Sequence, residues 1–146
     1  MRSDTILLTG ASGFSGRVCY RIFIEAGYNV IPIVRKPAGL ANEVVIDLEE
    51  DDAASNLLKL PAPAAIVHLA SNVNFAPDAT DQSFFSTNVL TTSLLCQICR
   101  QTGAHMILAS GTIVHGTASK IVEDTEVAPQ NAYGRAKALA EQIVRA

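Results

Sequence analysis

A glycine-rich turn near the start of the chain constrains its fold more than any other feature of the sequence. The apolar run Ile6-Leu7-Leu8 leads directly into Thr9-Gly10-Ala11-Ser12-Gly13-Phe14-Ser15-Gly16, and a helical pattern follows. Glycine at every third position lets the backbone turn tightly, approach an anion without a Cβ in the way, and bring the helix close to the strand. The N–H groups at the start of that helix then face the anion. The turn therefore predicts a strand, a phosphate cradle and a helix in succession.

Apolar runs of strand length recur along the chain and alternate with longer segments of helical spacing. The predicted strands are Thr5 to Thr9, Val30 to Val34, Val44 to Asp47, Ala65 to Ala70 and Met106 to Ser110. Strands that are apolar throughout are buried on both faces, and helices between them form the crossovers of a parallel sheet. The alternation therefore predicts an α/β fold in which helices cover a parallel sheet.

Three helices and two long loops complete the predicted order. The first helix ends at Gly27, and its apolar face is formed by Val18, Cys19, Ile22, Phe23 and Ala26. A long helix covers 82–101 and stops at Gly103, and the last helix runs from Ala132 to the end of the chain. The segments 71–80 and 111–131 are predicted loops at the carboxyl ends of strands, where open α/β sheets bind ligands. The acidic run 49–52 is interpreted as a solvated helix start.

Composition and charge limit the classes of function. The 146 residues are 49% hydrophobic and 17% charged, with a formal net charge of −3, which is typical of a single globular domain. Such a balance predicts no basic surface for nucleic acid or for an anionic membrane. The first apolar run is too short for a signal peptide or a membrane span. We therefore expect a cytoplasmic protein that binds a small molecule rather than nucleic acid or a membrane.

The cysteines predict neither a disulfide framework nor a metal site. Cys19, Cys96 and Cys99 are odd in number and lie in helical segments. Cys96 and Cys99 have the spacing of half a zinc site, but the chain has no second pair. Apolar neighbours share their helical face, which favours small core residues.

A tyrosine and a lysine lie one helical turn apart in Tyr133-Gly134-Arg135-Ala136-Lys137. Residues four apart share a helical face, so the phenol and the ammonium lie on the same side. A phenol with the ordinary pKa of about 10 is a poor base at neutral pH, and a neighbouring ammonium stabilises the phenolate. The pair therefore predicts a proton shuttle to or from a carbinol.

With these motifs the chain resembles the N-terminal part of the extended short-chain dehydrogenase/reductases, the NAD(P)-dependent epimerase/dehydratase family. The resemblance is carried by the glycine-rich turn 9–16, Asp47-Leu48, Ile66-Val67-His68-Leu69-Ala70, Asn88-Val89 and Tyr133 to Lys137. It implies a Rossmann-type doubly wound parallel sheet of order 3-2-1-4-5 in a three-layer αβα arrangement, with residues 1–146 as one NAD(P)-binding domain. It also implies a truncated chain, because family members continue into a C-terminal substrate-binding region.

The resemblance further implies roles for individual residues. The backbone around Ser12 to Gly16 would hold the pyrophosphate, Asp47 and Leu48 would flank the adenine, and Leu69 to Ser71 would line the dinucleotide channel. Tyr133 would be the catalytic acid and base, and Lys137 would hold the nicotinamide ribose hydroxyls. The complete set of expected cofactor-binding residues is Gly10, Ser12, Gly13, Phe14, Ser15, Gly16, Arg35, Asp47, Leu48, Leu69, Ala70, Ser71, Asn88, Tyr133 and Lys137.

The end of the second strand predicts which dinucleotide binds. Selectivity for NAD usually rests on an acidic residue there, which accepts the ribose 2′-OH. This chain has Ile33-Val34-Arg35-Lys36 instead, and a guanidinium beside an ammonium suits a 2′-phosphate. We therefore expect NADP(H), with Arg35 as its main contact. The alternative is NAD(H), with Arg35 and Lys36 as solvated residues leaving a strand.

One position departs from the family pattern. The Ser or Thr whose hydroxyl polarises the substrate oxygen aligns with Gly111, and the Tyr that usually follows is His115. A missing donor of this kind typically costs on the order of 100- to 1,000-fold in turnover. Thr112 is the predicted working hydroxyl, provided that the backbone leaves strand geometry at the glycine. Ser110, or a weakly active site, is the alternative. Of the three histidines, only His115 lies in a predicted loop, where contact with substrate is a possibility.

The resemblance implies reversible hydride transfer between a nicotinamide and a secondary alcohol or ketone, on a nucleotide sugar or a related carbonyl compound. The short chain and Gly111 keep a second hypothesis open, a dinucleotide-binding or redox-sensing module without turnover. In this family the two long helices, 82–101 and 132–146, commonly form a dimer face. The resemblance therefore makes a homodimer possible, and the sequence leaves the oligomeric state open.

Overall fold

The computed structural model describes residues 5–73 and 80–146 and contains one five-stranded sheet. Its strands are β1 (Thr5–Thr9), β2 (Asn29–Val34), β3 (Val44–Val45), β4 (Ala65–His68) and β5 (His105–Leu108). They are all parallel and lie in the order β3-β2-β1-β4-β5. The predicted order 3-2-1-4-5 is confirmed. Because the chain order reverses on either side of β1, a crevice is expected at the carboxyl end of that strand.

Helices cover both faces of the sheet, which confirms the three-layer αβα arrangement. They are α1 (Phe14–Glu25), α2 (Ala53–Leu58), α3 (Asp81–Phe85), α4 (Thr91–Thr102) and α5 (Ala132–Arg145). A π-helical turn, Ser86–Leu90, joins α3 to α4, and a 3-10 turn, Thr112–His115, follows β5. Within residues 5–73 and 80–146, no helix combines the length and the apolar character needed to cross a membrane.

The core consists of two main clusters separated by the sheet. Successive side chains of a strand point to opposite faces, so Leu7 and its neighbours in β1 divide between the clusters. Leu7 packs in a cluster with Leu57 of α2 and Leu95 of α4. Leu8 packs in the other cluster, against Phe23 of α1. All residues of β1 are buried, as expected for a central strand that is apolar throughout.

The rotation of α1 differs from the prediction. Cys19 and Phe23 pack on the sheet, but the other residues predicted on that face are exposed, namely Val18, Ile22 and Ala26. The cause is Gly16, which is buried so close to the preceding turn that an added Cβ would lie 2.1 Å from the carbonyl oxygen of Gly10. This contact turns the Gly16 side of the helix toward the sheet. The spacing of apolar residues alone does not reveal this rotation of the helix.

The long helix predicted over 82–101 is divided into α3, the π-helical turn and α4. Hydroxyl groups explain the irregularity, because Thr91 Oγ1 donates to the carbonyl of Thr87 and Thr92 Oγ1 donates to that of Asn88 at 2.7 Å. Such bonds to the carbonyl four residues back compete with the backbone ladder and bend helices. The predicted end of the helix is confirmed, since α4 stops at Thr102, directly before Gly103.

Three strands end earlier than predicted. β3 stops at Val45 rather than Asp47, β4 at His68 rather than Ala70, and β5 at Leu108 rather than Ser110. Asp47 and Ala70 lie beyond these strand ends and line the cleft described below. The predicted loop 71–80 lies partly outside the described residues, which omit 74–79.

Candidate functional site

A cleft of about 1100 Å³ opens at the carboxyl ends of β1, β2 and β4. The glycine-rich turn and the segments that follow β2, β3 and β4 form its wall. The expected cofactor residues in that wall are Gly10, Ser12, Gly13, Arg35, Asp47, Leu48, Leu69, Ala70 and Ser71. This is the point at which the strand order reverses, where open α/β sheets bind their ligands.

The other expected cofactor residues lie outside the wall of the cleft. Phe14 is 93% exposed and Ser15 is also exposed, both in the first turn of α1. Gly16 is buried beneath the turn, and Asn88 is buried in the π-helical turn. Tyr133 and Lys137 lie on α5.

The glycine-rich turn fits the phosphates of a dinucleotide because its glycines have no side chains to block access to the backbone N–H groups. Gly10 has a φ of +68°, and an added Cβ would lie 2.6 Å from the backbone nitrogen of Ala70. Gly13 is the N-cap of α1 and has no side chain with which to cap the N–H groups of the first turn. Uncapped N–H groups at a helix start, next to backbone without Cβ atoms, are the donors that phosphate oxygens require.

Asn88 shapes the cleft without lining it. Its side chain is almost fully buried, and Oδ1 accepts hydrogen bonds from Oγ of Ser71 at 2.8 Å and from the backbone N–H of Asn72 at 2.9 Å. Its Nδ2 donates to the carbonyl of Asn72 at 3.2 Å. The side-chain amide of Asn88 therefore holds the segment that follows β4 in place. Ser71 of that segment is part of the wall of the cleft.

A buried hydrogen-bond network joins β1, β4 and α4 at the cleft. Thr9 Oγ1 accepts a hydrogen bond from the N–H of Ala70 at 3.3 Å and lies 2.6 Å from Nδ1 of His68. On the other side of the ring, Nε2 of His68 lies 3.4 Å from Thr91 Oγ1. Because Thr91 donates its own proton to the carbonyl of Thr87, it accepts from Nε2–H, and the Thr9 hydroxyl then donates to Nδ1.

This network keeps His68 neutral. The side chain is 1% exposed, and burial lowers its pKa to about 4, with the positive charge of Lys137 as a second cause. A proton on Nδ1 would leave the Thr9 hydroxyl without its acceptor. The prediction that His68 belongs to a buried strand is confirmed, and its two threonine partners were not foreseen.

The residues that follow β2 bring positive charge to the cleft. Arg35 and Lys36 are exposed and line it. The neighbouring carboxylate, Glu43, accepts hydrogen bonds from the backbone N–H groups of Ala38, Gly39 and Leu40 at 2.9–3.4 Å. The bonds from Leu40 and Ala38 are the largest causes that lower the pKa of Glu43. This carboxylate is thus engaged by backbone rather than directed at the cleft.

Arg17 lines the same cleft and was missed in the sequence. Its Nε donates to the carbonyl of Ser12, within the cradle, at 3.2 Å. Its charge is the smallest of the causes that lower the pKa of Glu43, after the backbone hydrogen bonds from Leu40, Ala38 and Gly39. The signal in the sequence was a cation directly after the third glycine of the turn.

The interpretation of the acidic run 49–52 as a helix start is wrong. The helix α2 begins at Ala53 and has no acidic residue in its first turn. Glu49 instead lines the cleft, and its carboxylate accepts hydrogen bonds from Ser86 Oγ at 2.9 Å and Thr87 Oγ1 at 2.8 Å. It links the segment after β3 to the π-helical turn, a long-range contact that local charge patterning does not reveal.

The helix α5 holds the tyrosine and lysine in different environments. Its N-cap, Asn131, accepts a hydrogen bond from the N–H of Gly134 at 2.7 Å. Lys137 is 3% exposed, and Nζ donates to the carbonyl of Ala109, just after β5, at 2.5 Å. Burial lowers the pKa of Lys137. The ring of Tyr133 packs against that of Phe84, with centroids 5.8 Å apart.

The predicted substrate-polarising hydroxyl lies in an exposed turn. Thr112 is exposed and begins the 3-10 turn after β5. Gly111 has φ −162° and ψ 158°, an extended backbone that any residue adopts. Because β5 already ends at Leu108, the chain leaves strand geometry without needing a glycine, contrary to the expectation.

The alternatives to Thr112 are engaged elsewhere. Ser110 Oγ donates to the carboxylate of Glu141, and Nδ1 of His115 lies 3.0 Å from the carbonyl of Glu126. Ser110 and His115 line a second cleft, of about 490 Å³, between the end of β5 and α5. Neither lines the cleft that contains the glycine-rich turn.

The cysteine pair is part of the core, as predicted. Cys96 and Cys99 are buried on α4, and burial raises the pKa of the Cys99 thiol to about 11. In the described ranges no three His, Cys, Asp or Glu side chains come together as ligands for a metal ion.

The parallel sheet, the cradle at its switch point and the tyrosine and lysine on α5 define a Rossmann-type domain of the short-chain dehydrogenase/reductase class. The chain belongs to the NAD dependent epimerase/dehydratase family, whose family model matches residues 6–146. The resemblance noted in the sequence is thereby confirmed.

Known proteins similar to this chain are longer. A short-chain dehydrogenase/reductase superfamily protein from Agrobacterium tumefaciens, solved with bound NAD, is 29% identical with a TM-score of 0.86, and the match covers 97% of this chain and 44% of that one. MoeE5 in complex with UDP-glucose and NAD is 28% identical with a TM-score of 0.84, covering 96% and 48%. Methionine adenosyltransferase 2 subunit beta from Rattus norvegicus is 29% identical, covering 97% and 43%. The chain spans less than half the length of each.

Proposed function

We propose that the protein is an NADP(H)-dependent oxidoreductase, epimerase or dehydratase of the extended short-chain type, acting on a nucleotide sugar or a related alcohol or carbonyl compound. The observation that carries the proposal is that one cleft is lined both by the glycine-rich turn and by Arg35 and Lys36, the cationic residues after β2. The similarity to MoeE5, solved with UDP-glucose and NAD, supports the class of substrate.

The preference for NADP(H) rests on charge at the end of β2. Arg35 and Lys36 line the cleft, and the nearest carboxylate on that loop, Glu43, is occupied by three backbone N–H groups. Within residues 35–43 a ribose 2′-OH therefore finds no free carboxylate, whereas a 2′-phosphate lies beside cations. NAD(H) is the alternative, since similar structures were solved with NAD.

The proposed chemistry divides between cofactor and protein. When bound, the dinucleotide supplies or accepts the hydride. Tyr133 gives or takes the proton at the substrate oxygen, and Lys137 favours the phenolate by its charge. One Lys137 N–H is bound to the carbonyl of Ala109, which leaves two donors for ribose hydroxyls. Thr112 is the hydroxyl that polarises the substrate oxygen.

A second candidate is a dinucleotide-binding or redox-sensing module without turnover. It is favoured by Gly111 at the usual hydroxyl position and by the exposure of Thr112. The similarity to a methionine adenosyltransferase subunit, a protein not named as an epimerase or dehydrogenase, also supports it.

We further infer a cytoplasmic homodimer that meets near α4 and α5. Exposed leucines support this surface, since Leu90 in the preceding turn is 53% exposed and Leu139 on α5 is 38% exposed. Sedimentation equilibrium tests it, and a monomer at all concentrations would contradict it.

The two candidates separate in a spectroscopic assay. The protein is mixed with oxidised cofactor and then with UDP-sugars or simple secondary alcohols. Absorbance of the reduced nicotinamide is followed, and the products are separated by chromatography, because an epimerase or a dehydratase regenerates the oxidised cofactor. We expect a rise in absorbance or a new sugar product, which Tyr133→Phe abolishes while cofactor binding persists. Cofactor binding with neither a rise nor a new product, across the whole substrate set, would favour the module without turnover.

A further inference from the structure

The charged side chains of the cleft are segregated. Arg17, Arg35 and Lys36 line one part, and Asp47 and Glu49 line the part after β3. Both carboxylates are engaged, because Asp47 Oδ1 accepts from the N–H of Glu49 at 3.1 Å and Glu49 accepts from two hydroxyl groups. In the described part of the chain, none of the three cations forms an ion pair within 4.0 Å. They leave unbalanced positive charge at the end of β2.

Arg17 connects the cradle to this charge. Its Nε–H bond to the carbonyl of Ser12 fixes the side chain on the glycine-rich turn. The bond uses one of the five guanidinium N–H donors and leaves the terminal amino groups. The cleft that Arg17 lines is also lined by Arg35 and by the loop that follows it. Arg17 therefore shares one cleft with the glycine-rich turn and with the residues after β2.

We propose that Arg17 is a second binding residue for the 2′-phosphate of NADP(H), acting together with Arg35; this inference rests on the proposed cofactor function. A phosphate that carries close to two negative charges is held best by several charge-assisted donors from different directions. Arg35 supplies such donors from the end of β2, and Arg17 supplies them from the first turn of α1. Arg17 thereby contributes to specificity, because NAD(H) lacks the 2′-phosphate.

Calorimetric titrations of the intact protein test this assignment. The ligands are NADPH and NADH, and the fragments 2′,5′-ADP and ADP, which differ in the position of one phosphate. For Arg17→Ala we expect about tenfold weaker binding of NADPH and 2′,5′-ADP, which corresponds to about 1.4 kcal/mol. Binding of NADH and ADP should change by less than about twofold. Arg17→Lys should recover part of the loss, because it keeps the charge without the planar fork.

Arg21→Ala is the matched control. Arg21 lies one turn further along the same helix, carries the same charge, pairs with Glu25 at 3.9 Å and is not part of the cleft. It should leave all four affinities unchanged. Equal losses for NADPH and NADH in Arg17→Ala, or no loss, would overturn the assignment while leaving the proposed function intact. Failure of the unaltered protein to bind either dinucleotide would instead contradict both.

Discussion

The hydroxyl of Thr9 on the central strand lies 2.6 Å from Nδ1 of His68, its register partner on β4. The same oxygen accepts the N–H of Ala70, two residues further along. One buried hydroxyl therefore ties the strand that precedes the glycine-rich turn to the segment that forms the opposite wall of the cleft. The geometry of the cofactor site depends on a neutral imidazole below it.

Acid should destabilise the protein through His68. The pKa of His68 is about 4 in the folded protein, against an ordinary value of 6.5 that applies to the unfolded chain. The unfolded chain therefore binds the proton more tightly. This part of the free energy of unfolding is constant above pH 6.5 and falls by about 3 kcal/mol between pH 6.5 and pH 4. Urea unfolding at a series of pH values measures it.

Two histidine variants isolate this effect. His68→Gln removes the titrating group, so its stability should change less over that range than the stability of the unaltered protein. His105→Gln alters an exposed histidine on β5, and its stability should depend on pH as strongly as that of the unaltered protein. Identical pH profiles for His68→Gln and the unaltered protein would contradict the account of the network.

Gly16→Ala should disrupt the cradle by steric overlap. The added Cβ would lie 2.1 Å from the carbonyl oxygen of Gly10 and 2.7 Å from Cα of Ala11, both backbone atoms that cannot move aside cheaply. We expect a loss of about 2 kcal/mol or more in the free energy of unfolding. Gly111→Ala is the control, since its Cβ meets only Ile113 Cγ2 at 3.9 Å. Equal stability of the two variants would show that the close approach is not required.

Thr112→Ala tests the substrate-polarising hydroxyl. We expect kcat to fall about 100- to 1,000-fold with little change in cofactor affinity. Position 111 has an extended backbone, and a Cβ there makes only an ordinary contact with Ile113 at 3.9 Å, so Gly111→Ser in the Thr112→Ala background should restore part of the rate. Full activity of Thr112→Ala would remove this residue from the mechanism.

The features predicted correctly from the sequence are those that depend on the order of a few neighbouring residues. Apolar runs and glycines place β1, the turn and the start of α1 because each signal lies within a few residues. The strand order follows from the recognised family pattern rather than from any local signal. The helical spacing of Tyr133 and Lys137 is likewise local, and both lie on α5.

Two of the missed features depend on contacts between distant segments. His68 and Thr91 are 23 residues apart, and Glu49 and Ser86 are 37 residues apart. These pairings depend on tertiary packing, and no short-range pattern in the sequence indicates them.

Two other missed features are local and depend on the shape of the glycine-rich turn. The rotation of α1 is set by the approach of Gly16 to Gly10, which outweighs the apolar spacing of Val18 and Ile22. Arg17 resembles any solvated cation until the turn brings the carbonyl of Ser12 within reach of its Nε.

The most direct test of the account is the affinity of the intact protein for the two dinucleotides. Parallel calorimetric titrations should give saturable binding of both, with NADPH bound on the order of 100-fold more tightly than NADH, since Arg17 and Arg35 each contribute about tenfold through charge-assisted donors to the 2′-phosphate. Arg35→Ala should bring the two affinities closer together. Absence of binding for both, or tighter binding of NADH, would contradict the account.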